Sequence, residues 1–273
     1  MQNLKLQPVR YLAIFVWCLG LLGIAGLAGA QEPDYDRLGR ELEQSGFTVL
    51  DSGITYGVPY VEIQVPRGAS VVSIIRKVPS LNADFFRYRD KIAFLNGVNP
   101  FYIKSIYGEP FSLEADFLRI PLDPGLDPEI FPAFEDALAS HEKYILVDLD
   151  KGYLGLYARG ELERVFPISG GKSEKQTPLL TFEIKAKDKE HWSSIYDVYM
   201  PYSLLMESPY YIHGGVLPGE HDSAGCIRMF RRDARELYHL VDVGTPGRVV
   251  QASRIKEPLP DQPLAKLSAN QGP

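Results

Sequence analysis

The stretch from Tyr210 to Arg228 concentrates the reactive residue types of this chain. It reads Tyr-Tyr-Ile-His213-Gly214-Gly215-Val-Leu-Pro-Gly219-Glu-His221-Asp-Ser223-Ala224-Gly225-Cys226-Ile-Arg228. A histidine closes a strand-like run, and a cysteine follows thirteen residues later across a glycine-rich loop. A thiol with its ordinary pKa of about 8.5 is mostly protonated at neutral pH and needs a base to become a nucleophile. An imidazole can take that proton and return it to a leaving amine. Amides around Gly225 and Cys226 are natural oxyanion donors, each worth about 3–4 kcal/mol in characterised enzymes. Gly214, Gly215 and Gly225 let a substrate approach the backbone, and Arg228 has the fork geometry to hold a carboxylate. Taken singly, each residue has a plainer reading: an inert buried thiol, a histidine satisfied at a strand end, a packing arginine. Together they favour a Cys/His acyl-transfer site, and they predict a Cys226 that reacts well below the usual thiol pKa.

A metal site fits less well. His221 and Cys226 could supply two ligands, but no four-ligand spacing accompanies them. Ser169-Gly-Gly-Lys-Ser173 resembles a phosphate loop only superficially, because the first glycine of that motif would fall at Phe166. His141-Glu142 lacks the second histidine of HExxH.

The whole chain narrows the setting. Its 273 residues, 45% hydrophobic, exclude a disordered or low-complexity protein and leave room for one large or two small domains. A net charge of -6 leaves no cationic excess to neutralise phosphates, which argues against a nucleic-acid partner. Only two cysteines are present, so no disulfide scaffold is expected. Cys18 lies in the apolar run Tyr11–Ala30, which follows Lys5 and Arg10 and ends in Ala28-Gly29-Ala30. Residues 1–30 thus read as a cleaved signal peptide, with an uncleaved membrane anchor as the alternative. The exported part would retain one thiol, Cys226, without an intramolecular partner.

The elements that must position these residues fall into successive parts. Residues 31–59 read as a linker with a short helix over 34–45 and a turn-rich segment over 51–59. Residues 60–122 read as a small α+β domain: a strand over Tyr60–Val65, helices over Ser70–Lys77 and Lys91–Leu95, and a strand over Phe117–Ile120 ended by Pro121. Residues 123–142 form a proline-rich linker. From 143 to 252 short strands alternate with glycine turns, over 144–149, 152–159, 162–168, 180–185, 194–200, 210–213 and 248–252. One helix, 233–241, presents Ala234, Leu237, Leu240 and Val241 on a single face. Residues 253–273 read as a flexible tail.

Residues 143–251 resemble the YkuD-type L,D-transpeptidase catalytic domain. The signature HG…S-H-G-C-h-R/N appears as His213-Gly214…Ser223-Ala224-Gly225-Cys226-Ile227-Arg228. It is flanked by Thr177-Pro178…Phe182, Met200-Pro201-Tyr202 and Val243-Gly-Thr-Pro246. The resemblance implies a mostly β, sandwich-like fold. It implies Cys226 as nucleophile and His213 as base and then acid, with the Gly214 carbonyl orienting the ring and Gly225 at the oxyanion site. Ser223, Arg228 and Tyr202 would bind substrate. It also implies attack before the terminal D-Ala of a peptidoglycan tetrapeptide stem, in the periplasm or cell envelope, without metal or organic cofactor. The acyl group would pass to another stem, giving a 3→3 cross-link, to an outer-membrane lipoprotein lysine, or to water. Two positions depart from the pattern: Ala224 stands where histidine is common, with His221 nearby, and Leu180 stands where many members have glycine.

Residues 60–122 resemble a LysM module more loosely, through Arg67–Ser70, Leu95–Pro100 and Leu118–Pro121, with an insertion around Phe101–Asp116. This implies glycan-strand binding, or a spacer. The competing readings are a hydrolase on the same site and a non-catalytic peptidoglycan-binding protein.

Overall fold

The computed structural model describes residues 34–100 and 116–254. The segment read as a signal peptide lies outside them, as do nearly all of the Phe101–Asp116 insertion and the tail beyond Arg254. No helix among the described residues is long and apolar enough to cross a membrane.

The N-terminal module begins earlier than residue 60. Helix α1 (Tyr35–Gln44) is capped by Asp34, whose side chain accepts from Arg37 N at 3.0 Å. Its Leu38 and Leu42, four residues apart on one face, are buried. Residues 51–59 are not turn-like as the glycines suggested. Strand β1 (Val49–Thr55) and strand β2 (Val58–Gln64) form an antiparallel hairpin. Tyr56 and Gly57 both have positive φ (49° and 77°), which gives the two-residue turn whose twist suits a hairpin. Gly57 marks the turn itself, and the strands flanking it hide behind Gly53 and Pro59.

Helix α2 (Val71–Lys77) opens on a reciprocal Ser70/Ser73 capping box, and short helix α3 (Pro79–Ala83) follows. Helix α4 (Phe85–Asn96) is longer than the 91–95 expectation and ends at Gly97 in the left-handed region. Strand β3 (Phe117–Pro121) completes a three-stranded sheet in the order β1-β2-β3, and edge placement lets Pro121 remain in the ladder. Ile63, Ile75, Leu81, Ile92 and Ile120 form a core with Leu42 of α1. Residues 34–59 therefore belong to the module.

The 123–142 segment is packed rather than loose. Ile130, Phe131 and Leu138 are buried with Tyr144, Tyr153 and Tyr157, and Tyr56 and Phe94 of the module pack against the same cluster. The Tyr153 hydroxyl donates to Phe94 O at 2.9 Å, tying the end of α4 to the C-terminal domain.

The C-terminal domain is one nine-stranded sheet in the order β7-β12-β4-β5-β6-β11-β10-β9-β8. Its strands are β4 (Tyr144–Asp148), β5 (Tyr153–Ala158), β6 (Glu161–Ser169), β7 (Thr181–Glu183), β8 (Ala186–Ser193), β9 (Val198–Glu207), β10 (Tyr210–Gly214), β11 (Ile227–Met229) and β12 (Pro246–Val250). Strands β4 to β6 are the expected meander. Strands β7 and β8 lie at opposite edges of the sheet, yet only Ile184 and Lys185 separate them in the chain. The three steps from Glu183 to Ala186 span at most about 11 Å, so the sheet must curl until its edges meet. Lys185 N donates to Leu205 O of β9 at 2.8 Å at that closure.

The curled sheet encloses a core that includes Ile145, Leu154, Phe166, Leu204, Ile212 and Met229, which makes the domain sandwich-like as expected. Helix α5 (Arg231–Leu240) buries Ala234 and Leu237 against that core. Residues 194–200 are not one strand: 194–197 turn between β8 and β9, with Asp197 at positive φ. The tail is anchored at its start, where Ser253 N donates to Asp150 Oδ2 and Arg254 Nη1 to Thr177 O.

Removing the Tyr153 hydroxyl leaves a buried carbonyl without that donor. Tyr153→Phe is expected to lower unfolding free energy by about 1–3 kcal/mol, measured by denaturant titration.

Candidate active site

Strands β10 and β11 are neighbours and parallel, with Ile212 paired to Ile227 and His213 to Arg228. A parallel pair cannot be closed by a tight hairpin and needs a crossover of about a dozen residues. Residues 215–226 supply it, which explains the thirteen-residue spacing. Paired residues share a sheet face and successive side chains alternate. Ile212, Ile227 and Met229 point into the core. His213 and Arg228 take the other face, and Cys226, one residue before β11, falls beside Tyr211 on that face. The histidine and the thiol are thus diagonal neighbours on adjacent strands, both buried.

The His213 ring is oriented by its own neighbour: Nδ1 lies 3.0 Å from Gly214 O. A carbonyl only accepts, so Nδ1 carries the proton and Nε2 holds the lone pair. Burial pushes the His213 pKa down to about 4, the Gly214 carbonyl opposes this, and the charges of Arg228 and His191 add to it. Burial raises the Cys226 thiol, against the pull of the Tyr211 N–H and of Arg228. The thiol donates to Pro209 O at 3.9 Å. The resting pair is therefore neutral imidazole and thiol. The expectation of a low-pKa Cys226 does not survive the burial of both groups, which disfavours each charged form.

Ser223 is buried and organises the loop rather than facing substrate. Its hydroxyl donates to Cys226 O at 2.5 Å and accepts from Gly225 N at 3.1 Å. Gly225 N–H is thereby engaged within the loop, and the residue contributes through its conformation. It has φ of 114°, and a Cβ there would sit 2.7 Å from the Tyr210 ring.

Arg228 Nη1 lies 3.3 Å from Asp222 Oδ2 with its side chain partly exposed, beside the thiol where a carboxylate could reach it. Tyr202 is not brought to the site. Its φ is 54°, and its ring meets Tyr238 of α5 edge-on at 5.8 Å, on the helix side of the sheet. His221 is neither a surface residue nor a stand-in for the histidine absent at Ala224. Its Nδ1 accepts from Gly170 N at 2.8 Å and its Nε2 lies 2.7 Å from Leu149 O. Both ring nitrogens are spent on holding the loop. Leu180 packs against the core and its carbonyl accepts from Val249 N, an arrangement that requires no glycine.

Sequence reasoning assigned no role to His191, Asp188 or Thr177. His191 stacks on Tyr211 with centroids 4.7 Å apart, and its Nδ1 lies 3.2 Å from Asp188 Oδ2. His191 and Asp188 belong to β8, which fell between the strands expected over 180–185 and 194–200. Thr177 Oγ1 accepts from Gly171 N at 2.8 Å, fixing the segment against which Ser223 pairs. Among the described residues, no group of three or more His, Cys, Asp or Glu side chains is arranged to hold a metal ion.

Residues 142–250 match the family model YkuD, the L,D-transpeptidase catalytic domain. A YkuD protein of Bacillus licheniformis is 36% identical over 104 residues, covering 37% of this chain and 61% of that protein. The match thus spans about three fifths of the relative's length. Among solved structures, an L,D-transpeptidase of Xylanimonas cellulosilytica aligns at 23% identity and TM-score 0.41, over 47% of this chain and 67% of the other. L,D-transpeptidase 1 of Mycobacterium tuberculosis aligns at 21% and 0.36, over 40% and 61%.

Two titrations test the electrostatics. Alkylation of Cys226 should accelerate with pH through and beyond the ordinary thiol range; a rate plateau between about pH 5 and 7 would count against a neutral pair. For His213 the unfolded chain binds the proton more readily, so its contribution to stability is complete above about pH 6.5 and is lost as pH falls towards 4. The loss amounts to about 3 kcal/mol. Asp233, whose burial raises its pKa, acts in the opposite sense. Denaturation of the unmodified chain and of His213→Gln across this range isolates the histidine, and equal slopes would remove it as the cause.

Proposed function

We propose that this chain is an exported peptidoglycan L,D-transpeptidase with Cys226 as its thiol nucleophile, a reading supported by the match of residues 142–250 to the family model of L,D-transpeptidase catalytic domains. The observation that supports this most directly is the β10–β11 register. It sets a thiol and an imidazole with an available Nε2 on one face of adjacent strands. Export rests on residues 1–30, whose basic start, apolar run and Ala-Gly-Ala end have the form of a signal peptide.

The donor is a tetrapeptide stem. Cys226 Sγ adds to the carbonyl carbon before the terminal D-Ala as its proton passes to His213 Nε2. Proton transfer accompanies attack, since neither charged partner is stable in the buried resting site. The Cys226 amide, next after the engaged Gly225 N–H, is the donor assigned to the oxyanion. Collapse breaks the C–N bond, Nε2 returns the proton to the departing D-Ala amine, and a thioester remains. An acceptor amine then attacks the thioester, gives up a proton to Nε2, and releases the thiol as that proton returns to sulfur. Arg228, already beside Asp222, holds a stem carboxylate by exchanging one carboxylate for another.

The acceptor amine belongs to a second stem, giving a 3→3 cross-link, or to a lipoprotein lysine. Glycan strands are engaged through residues 60–122.

Incubating the full chain and its Cys226→Ala variant with tetrapeptide-rich muropeptides, followed by mass spectrometry, tests this reading. Cross-linked dimers or D-amino-acid exchange are expected from the unmodified chain alone. Free tripeptide as sole product would reassign the acceptor to water. Identical products from both proteins would end the proposal.

A further inference from the structure

The loop that carries Cys226 is held along its length, but by different parts of the chain. Its second half is held by the catalytic domain. Ser169 Oγ donates to Glu220 O at 2.7 Å, His221 bonds to Gly170 and Leu149, and Ser223 N donates to Gly170 O at 2.9 Å. Its first half is held by the N-terminal module. Asn99 N donates to Leu217 O at 2.9 Å, and Leu217 N donates to Asn99 Oδ1 at 2.6 Å. Val98 and Pro218 form an isolated antiparallel bridge beside them. Among the described residues, the hydrogen bonds of 216–219 all go to this one segment.

The segment is itself rigid. The Asn96 side chain donates to Ile92 O and Arg119 O and accepts from Arg119 N, clasping the end of α4 to β3. Gly97 turns the chain away, and Val98 is fully buried. Leu217 is also fully buried, so its N–H loses its protein partner if Asn99 is shortened. Cavities of about 700 and 530 Å³ flank the contact. The first is lined by Asn99 and Phe230, the second by Gly97 and His221. Gly215 N donates to Met229 O at 2.8 Å where the loop leaves β10, so the Asn99 clasp acts on the residues that follow, 216–219.

We propose that Asn99 is a positioning residue for acyl transfer: through Leu217 it holds the loop that delivers Cys226 to His213. The N-terminal module is then part of the catalytic apparatus, not a detachable tether. Misplacement of reacting atoms by about 1 Å costs roughly a hundredfold in rate, so a loosened loop acts on turnover more than on binding. This role rests on Cys226 being the nucleophile.

The test uses the full chain with Asn99→Ala, Asn99→Asp and Tyr88→Phe. Asn99→Asp keeps the acceptor for Leu217 N. Tyr88→Phe removes the hydroxyl that reaches Leu122 O inside the module, away from the loop. In Asn99→Ala, kcat on a tetrapeptide donor should fall about tenfold or more while KM stays within about twofold. Amides 215–225 should exchange faster with deuterium, and the rate of Cys226 alkylation should change. Asn99→Asp should restore most of each readout, and Tyr88→Phe should alter none. Unchanged kcat and exchange in Asn99→Ala, or the same changes in Tyr88→Phe, would overturn the proposal. If Asn99→Ala does not fold, Asn99→Ser, too short to span the same gap, provides the same comparison. Exchange and alkylation need no substrate, so they judge the clamp independently. An unmodified chain inert towards muropeptides would instead defeat the functional reading.

Discussion

The parallel pairing of β10 with β11 is the constraint on which the site depends. Antiparallel neighbours could have been joined by two residues, whereas parallel ones demand a long return. That return is the glycine-bearing loop, and every other device of the site exists to hold it in place. His221 ties it to Leu149 and Gly170, Ser223 ties its end to Cys226 and Gly225, and Asn99 ties its beginning to the module. A one-residue slip in the register would turn His213 into the core and expose Ile212. The burial of Ile212, Ile227 and Met229 opposes such a slip, with each apolar side chain contributing about 1.5–3 kcal/mol. The hydrophobic core thus fixes the catalytic geometry.

Burial has a chemical consequence as well. It disfavours the charged form of both the imidazole and the thiol. A permanent thiolate in an oxidising compartment would be exposed to over-oxidation and mixed disulfides. A thiol that loses its proton only as it attacks avoids that hazard, at the cost of a harder proton transfer. Arg228 and the Tyr211 N–H already favour the thiolate, so part of the electrostatic compensation is in place before substrate arrives.

What the sequence disclosed divides along physical lines. The Cys/His spacing, the three-strand meander and α5 were legible because their patterns are local: alternation, glycine turns and a 3.6-residue period. The orientation of His213 by Gly214 was available only through family resemblance. The role of His221 was not legible, because its partners, Leu149 and Gly170, are 72 and 51 residues away in the chain. Tyr202 misled because a motif marks proximity in sequence, whereas its left-handed backbone turns the ring towards α5. The β1 strand was hidden by its own turn residues, and β8 by its polar composition at a sheet edge, where burial cannot enforce alternation.

The module boundary follows the same logic and changes what the domains mean. Prolines in 123–142 suggested a flexible connection, but a proline also stiffens a chain that is already extended. Ile130 and Phe131, between Pro128 and Pro132, and Leu138 further on pack with Tyr144, Tyr153 and Tyr157 of the nine-stranded sheet, and Tyr56 and Phe94 of the module reach into the same cluster. Tyr153 adds a hydrogen bond from the sheet to Phe94 O near the end of α4, four residues before Val98, where the segment that meets the loop begins. Helix, apolar cluster and loop clasp therefore form one continuous path from the module's core to the loop that follows β10. A module joined in this way cannot swing freely to seek glycan while the site remains still. Any glycan it binds must lie where the fixed geometry places it relative to Cys226.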